Sequence, residues 1–237
     1  MDEIFIRERA LIGDAAFEKL KNSAVAVFGL GGVGSYVCEA LARAGIGKLL
    51  LCDDDVIAVH NGNRQLFALN STVGRKKAEV AAERMRDINP DIKLDVRAER
   101  YEASTEADFN LAEYNYVADC IDSVTSKILL AVRCEKERVP LISCMGTGNK
   151  LLGDFKIADI YSTNICPLAK VMRKELKARG VKKLKVVYSE ELIYSPVCAV
   201  PSNKRQTPAS VSFVPPLAGI KMSGEIVRDI IGDDMRK

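Results

Sequence analysis

A chain of 237 residues, 48% apolar, with a formal net charge of +3, is long enough to bury roughly 70% of its unfolded surface and needs no disulfide staples. Its nearly balanced charge excludes a molecule that is basic or acidic throughout, so any anionic partner must be met by local clusters of charge. No apolar run reaches the ~20 residues that span a bilayer. The opening MDEIFIRERALIG lacks the apolar stretch of a signal peptide, so the expectation is a cytoplasmic protein with no membrane partner.

In chain order, Asp14 to Lys21 reads as a short helix with an acidic cap. Ala24 to Phe28 is an apolar run that ends in glycines, as a buried parallel strand does. Val33, Val37, Leu41 and Ala44 recur at helical spacing, and Gly45 closes that helix. Lys48 to Cys52 is a second buried strand, ending at Asp53, Asp54 and Asp55. A polar connection leads to an amphipathic helix expected from Ser71 to Asn89. Leu94 to Ala98 reads as a weaker strand and Tyr116 to Ile121 as a stronger one. A helix over 123–137 leads to Pro140 and the strand LISC. Phe155 to Ile160 is a further strand, Pro167 to Arg179 a helix with Leu168, Val171, Met172 and Leu176 on one face, and Lys185 to Tyr188 a strand. Tyr194 to Ala209 holds three of the eight prolines and reads as a loop. Pro215 to Ile231 closes with a helix.

This alternation predicts an α/β fold: a Rossmann-like, doubly wound, mostly parallel sheet, because parallel neighbours require crossover helices. No linker separates two domains. Residues 1–237 are expected to form one unit, with a nucleotide-binding core over 1–149 and an extension over 150–237 that continues the sheet and packs further helices. The seven cysteines (Cys38, Cys52, Cys120, Cys134, Cys144, Cys166 and Cys198) are odd in number and include no CxxC pair. That argues against a disulfide framework and against zinc.

Gly29, Gly31, Gly32 and Gly34, in GLGGVG between the first strand and the next helix, suit a loop that lets a phosphate approach the backbone and the helix N-terminus. Asp53, about 20 residues on, suits the ribose hydroxyls. These features fit NAD as well as ATP. Asp55 joins Asp53 as a nucleotide-binding candidate, while Asp54 reads as a solvated loop acid. The residues that follow favour ATP. Asn61, Arg64, Gln65 and then Lys77 have no general use beside a nicotinamide, whereas cleavage of a triphosphate builds charge that fixed cations stabilise. Arg64 offers a fork and Lys77 a point charge. Asp122, at the end of the fourth strand, stands where such a sheet opens its ligand crevice and suits Mg2+ carried on the phosphates. His60, the single histidine, gives no histidine-based mechanism.

The segments GLGGVG, DDDVIAVHNGNRQ, VGRKKAEVAAERMRDINP and DCIDSVTSK together resemble the ubiquitin-activating-like (ThiF/MoeB/HesA) adenylating superfamily, strongly over 7–149 and loosely beyond. The resemblance implies an enzyme that activates a carboxylate as an acyl-adenylate. It implies Asp53 as ribose ligand, Asn61, Arg64 and Lys77 as phosphate-handling residues, Asp122 as the magnesium-linked carboxylate, and Arg7 as an arginine reaching into the ATP site of a partner in a homodimer. The missing CxxC pairs weigh against the sulfur-carrier branch. NRQLFALNSTVGRKKAEVAAERMRDINP, DCIDSVTSK, PLAKVMRKEL and VVYSEE look most like the tRNA threonylcarbamoyladenosine dehydratases.

That branch implies a tRNA substrate whose modified adenosine carries the reacting carboxylate beside the anticodon. The basic residues of 170–185 fit such a partner: Lys170, Arg173, Lys174, Lys177, Arg179, Lys182, Lys183 and Lys185 accompany one acid, Glu175. Lys170, Lys174 and Lys177 share a helical face that can follow a phosphate backbone. Lys204 and Arg205 extend the candidate surface. The alternatives are an adenylyltransferase for the C-terminal glycine of a sulfur-carrier or ubiquitin-like protein, with a sulfur-relay partner, and an NAD(P)-binding oxidoreductase. The resemblance to the adenylating family makes Cys198 a candidate for a transient thioester.

Overall fold

The computed structural model describes residues 2–198 and 208–232. Seven strands form one sheet: β1 (Ala24–Phe28), β2 (Lys48–Cys52), β3 (Lys93–Arg97), β4 (Tyr116–Asp119), β5 (Leu141–Cys144), β6 (Lys156–Asp159) and β7 (Lys185–Tyr188). Their order is β3-β2-β1-β4-β5-β7-β6. All pairs are parallel except β6 with β7, which is antiparallel and places β6 at an edge. The chain steps outward from β1 to β3 and then crosses back to β4. This reversal opens a crevice beyond the carboxyl ends of β1 and β4.

Strand residues alternate between two packed faces. Val25 and Val27 of β1 join a core with Val37 and Leu41 of α3 (Gly34–Arg43), Ala81 and Met85 of α4 (Lys77–Ile88), and Met222 and Ile226 of α7 (Val214–Ile231). Ala24, Ala26 and Phe28 face the other way, onto Phe109, Leu111 and the Leu130 and Cys134 side chains of α5 (Val124–Glu137). On that second face α6 (Pro167–Ala178) buries Ala169, Met172 and Leu176 over Val186 and Tyr188. Two short helices, α1 (Ile6–Ile12) and α2 (Asp14–Lys21), precede the sheet.

The helix α7 runs the length of the sheet. At its start Pro215 lies beside the glycine loop, where a β-carbon on Gly32 would come within 2.9 Å of it. In its middle Gly219 lets α3 approach, since a β-carbon there would stand 2.5 Å from the Val33 carbonyl oxygen. At its end the Ile231 carbonyl accepts from Lys19 Nζ at 2.7 Å, at the opposite pole.

Three expectations need correction. The helix expected from Ser71 begins at Lys77. Before it, Gly74 adopts φ +88°, the Ile57 amide donates to the Arg75 carbonyl while the Ile57 carbonyl accepts from the Gly74 amide, and Val56 bridges Lys76. A short 3-10 turn (Asn70–Thr72) and a tight turn at Gly74 therefore take the chain to the single bridge at Lys76, and the α-helix starts only after it. The helix α1 escaped the sequence reading because it buries no residue and so shows no periodic apolar face. Val171, expected on the buried face of its helix, is 46% exposed; Ala169 takes its place. Otherwise element boundaries fall within about two residues of expectation, the usual tolerance of such assignments.

Candidate functional site

The glycine loop sits at the crevice. Gly29 has φ +88°, and a β-carbon there would lie 2.7 Å from the Cys120 carbonyl oxygen. One on Gly34 would lie 1.8 Å from the Gly29 oxygen. These two glycines close the loop on itself and on the end of β4. Gly31 is different: its imaginary β-carbon meets nothing nearer than Gln65 Nε2 at 3.7 Å, so the backbone there lies open to approach. The first helical amides of α3 bond back to the Gly31 and Val33 carbonyls. The amides ahead of them have no intrahelical partner and form the usual anion-facing terminus.

Asp53 is locked to this loop. One carboxylate oxygen accepts from the Leu30 amide at 2.6 Å and the other from the Asp55 amide at 2.9 Å. Burial raises its pKa, and Lys77 and the two amides oppose that rise. Lys77, the first residue of α4, is only 4% exposed. Its ammonium lies 2.6 Å from Asp55 Oδ2 and 3.8 Å from Asp53 Oδ1. A lysine this buried needs such partners, because an unpaired charge would forfeit its hydration. The Arg64 stem passes 3.4 Å from where a Gly32 β-carbon would stand. Its guanidinium donates to the His60 carbonyl at 3.2 Å and to Asn63 Oδ1 at 2.8 Å, and burial lowers its pKa. Asn61 and Gln65 are buried. The Asn61 carbonyl accepts from the Arg64 and Gln65 amides, and its side-chain oxygen accepts from Ala58 N, which shapes the turn that presents Arg64.

Asp122 is exposed on the turn between β4 and α5, beside the Ser123 N-cap. Under that turn lie two residues the sequence reading did not assign. Lys127 and Asp119 are fully buried and 2.9 Å apart. The signal was an acid inside an apolar strand and a lysine leading into ILLAV. Glu191 and Lys150 were also missed. The Glu191 carboxylate accepts from the amides of Leu151, Leu152 and Gly153 at 2.6, 2.9 and 3.3 Å. Lys150 Nζ donates to the Glu191 carbonyl at 2.6 Å.

Gly29, Gly31, Gly32, Gly34, Asp53, Asp55, Arg64, Gln65 and Lys77 thus meet at one end of the sheet. Arg7 does not join them within its own chain. It is exposed on α1, two residues after Phe5, which packs against Phe17 and under Gly45 beyond the far end of α3. The basic row divides. Lys170, Lys174, Lys177, Lys182 and Lys183 are exposed. Arg173 turns inward to the Thr163 carbonyl at 2.9 Å, Arg179 pairs with Glu175 at 2.6 Å, and Lys185 with Glu225 and Asp229. Lys204 and Arg205 lie outside the described residues. Cys198 is exposed, Cys120 is half-buried and the other five cysteines are buried. Burial pushes the Cys134 and Cys144 thiols up to about 12.

The ThiF family profile matches residues 5–200. The tRNA threonylcarbamoyladenosine dehydratase of Bacillus subtilis is 40% identical over 244 residues, covering 97% of this chain and 95% of that protein. The structure of Escherichia coli tRNA N6-threonylcarbamoyladenosine dehydratase, TcdA, in complex with ATP superposes with a TM-score of 0.89 at 31% identity, covering 100% of this chain and 97% of that one. The Escherichia coli sulfur carrier protein ThiS adenylyltransferase is more distant, 33% identical over 64% of this chain and 62% of its own length. With a family profile spanning most of its length and a relative matched end to end, the chain belongs to the ThiF family.

Proposed function

We propose that the chain uses ATP to adenylate the threonyl carboxylate of threonylcarbamoyladenosine in tRNA and then closes a ring on the activated carbonyl. The end-to-end relationship to tRNA threonylcarbamoyladenosine dehydratases carries this reading, and the convergence of Arg64 and Lys77 on the glycine loop supports the chemistry. A carboxylate oxygen attacks the α-phosphorus and pyrophosphate leaves. The neighbouring ureido group then attacks the acyl carbon and AMP leaves, so no second substrate is required; holding both groups on one nucleoside supplies the proximity.

In this reading the loop amides and the N-terminus of α3 receive phosphate, and Asp53 receives the ribose. Arg64 and Lys77 stabilise charge on the α-phosphate and the departing pyrophosphate. Asp122, exposed and acidic, would hold Mg2+, which brings further charge neutralisation to the phosphates. Asn61 and Gln65 shape the pocket wall. Lys170, Lys174, Lys177, Lys182 and Lys183 line the approach of the tRNA backbone, with Arg173 supporting them from inside. Residues 1–237 act as one unit in a homodimer, Arg7 entering the partner's site; Ile6 and Leu11 on the same helix are 58% and 80% exposed, as an apolar face awaiting a second copy would be. A cytoplasmic location follows from the tRNA substrate. Among the described residues no helix is long and apolar enough to cross a membrane.

The test is direct. The chain incubated with ATP, Mg2+ and tRNA carrying threonylcarbamoyladenosine should release AMP and pyrophosphate and yield a nucleoside lighter by one water in mass spectrometry. Intact tRNA combined with AMP transfer to the C-terminal glycine of a sulfur-carrier protein would replace this reading with the adenylyltransferase one. Thermal stabilisation by NAD but not by ATP would replace both.

A further inference from the structure

The turn between β4 and α5 is held from below by charges that no ligand can touch. Lys127 and Asp119 have no exposed side-chain surface. Asp119 Oδ1 accepts from the Ile121 amide at 3.1 Å, and Lys127 Nζ donates to the Ile121 carbonyl at 3.1 Å. Ser143 Oγ donates to Asp119 Oδ2 at 2.6 Å. The two peptide units flanking Ile121 are therefore fixed from both sides. The first is the floor of the glycine loop: a β-carbon on Gly29 would lie 2.7 Å from Cys120 O and 3.0 Å from Ile121 N. The second leads straight into Asp122.

We propose that the Lys127–Asp119 pair is a positioning clamp, which sets the glycine loop and Asp122 relative to each other through the Cys120–Asp122 turn. Taking two charges out of water gives little net stability, because a buried pair is often replaced by apolar groups without loss. What the pair supplies here is direction: an anion and a cation that each seize one backbone group of the same residue. The proposal rests on the ATP-using reading above and deepens it, by naming residues that act on the nucleotide site through others.

The experiment compares Lys127→Met, Asp119→Asn and the double variant in the full chain. Each single change leaves one buried charge uncompensated and should lower Tm; the double change leaves none and should recover most of that loss. The clamp predicts that the double variant, though refolded to nearly parental Tm, still binds ATP with Mg2+ about tenfold more weakly and forms AMP about tenfold more slowly, since small misplacements at a reacting site cost that much or more. A purely structural pair would return ATP affinity and turnover along with Tm, and that result overturns the clamp. Ser143→Ala guards against a double variant that does not fold. It keeps the ion pair, frees one side of Asp119, and should weaken Mg2+–ATP binding about threefold, the effect of one lost hydrogen bond; unchanged affinity would also count against the proposal. Calorimetric ATP affinity needs no tRNA. A parent chain that binds ATP yet forms no AMP would overturn the proposed reaction, leaving the clamp to be judged by affinity alone.

Discussion

Lys77 shows how a single side chain is committed. It is 4% exposed, sits at the first turn of a helix, and faces two aspartates. Position at a helix N-terminus is electrostatically unfavourable for a cation, so the acids must outweigh both that effect and the lost hydration. In the proposed reaction it serves as a fixed charge for the anionic phosphates. Lys77→Ala and Arg64→Ala should each reduce AMP formation by about 10²-fold or more, as removal of a transition-state donor does, while tRNA retention on a filter stays near parental; equal loss in both assays would mean a general collapse. Glu191 carries a pH signature. Burial raises its pKa, but three amides and Lys150 outweigh burial and hold it below the ordinary carboxylate range. A lowered folded-state pKa gives stability that is present above the ordinary value and is lost as pH falls through the lowered one. Glu191→Gln should therefore lower Tm at pH 7 by about 3 °C, and the deficit should shrink as pH falls below the ordinary carboxylate range; a deficit that stayed constant into acid would show that size, not charge, was at stake. That Asp53, Arg64 and Lys77 gather beside the glycine loop was legible in their order after the glycines. Lys127 and Asp119 were not, because a buried ion pair eight residues apart has no periodicity, and Glu191 finds its partners some forty residues upstream.

At the scale of elements, the sequence pattern found every strand and all α-helices but one among the described residues. It failed at 71–76, where a 3-10 turn, the positive φ of Gly74 and the Val56–Lys76 bridge delay the α-helix so that Lys77 opens it beside Asp55. On α6 the outward face is set by Met172 and Leu176 pointing inward, which leaves Lys170, Lys174 and Lys177 on the water side. Lys174→Glu should weaken tRNA binding about equally for modified and unmodified tRNA and make the dependence of binding on salt less steep, as loss of a phosphate contact does. ATP-dependent thermal stabilisation should be unaffected. If it fell in step with tRNA affinity, the helix would be supporting the fold instead of the substrate.

For the whole molecule, the alternation of strands and helices was sufficient to foresee a doubly wound sheet, and the strand order then puts the glycine loop and Asp122 on either side of the chain reversal between β1 and β4. The antiparallel edge of β6 on β7 was not legible, since an isolated four-residue strand carries no mark of direction. The position of Arg7 was not legible either, and within one chain it stays at the wrong pole. A shared site makes a specific demand: Arg7→Ala and Lys77→Ala, each nearly inactive alone, should regain about a quarter of parental activity when co-refolded in equal amounts, because half the pairs are mixed and each mixed pair rebuilds one intact site. No recovery, in a preparation that sedimentation shows to be dimeric, would remove Arg7 from the partner's chemistry.

The position of Pro215 against Gly32 has a consequence for synthesis on the ribosome. The glycine motif emerges early, but the helix that walls it is made nearly two hundred residues later. A nascent chain therefore holds its glycine loop with one side missing, and firm retention of ATP should begin only after α7 has cleared the exit tunnel.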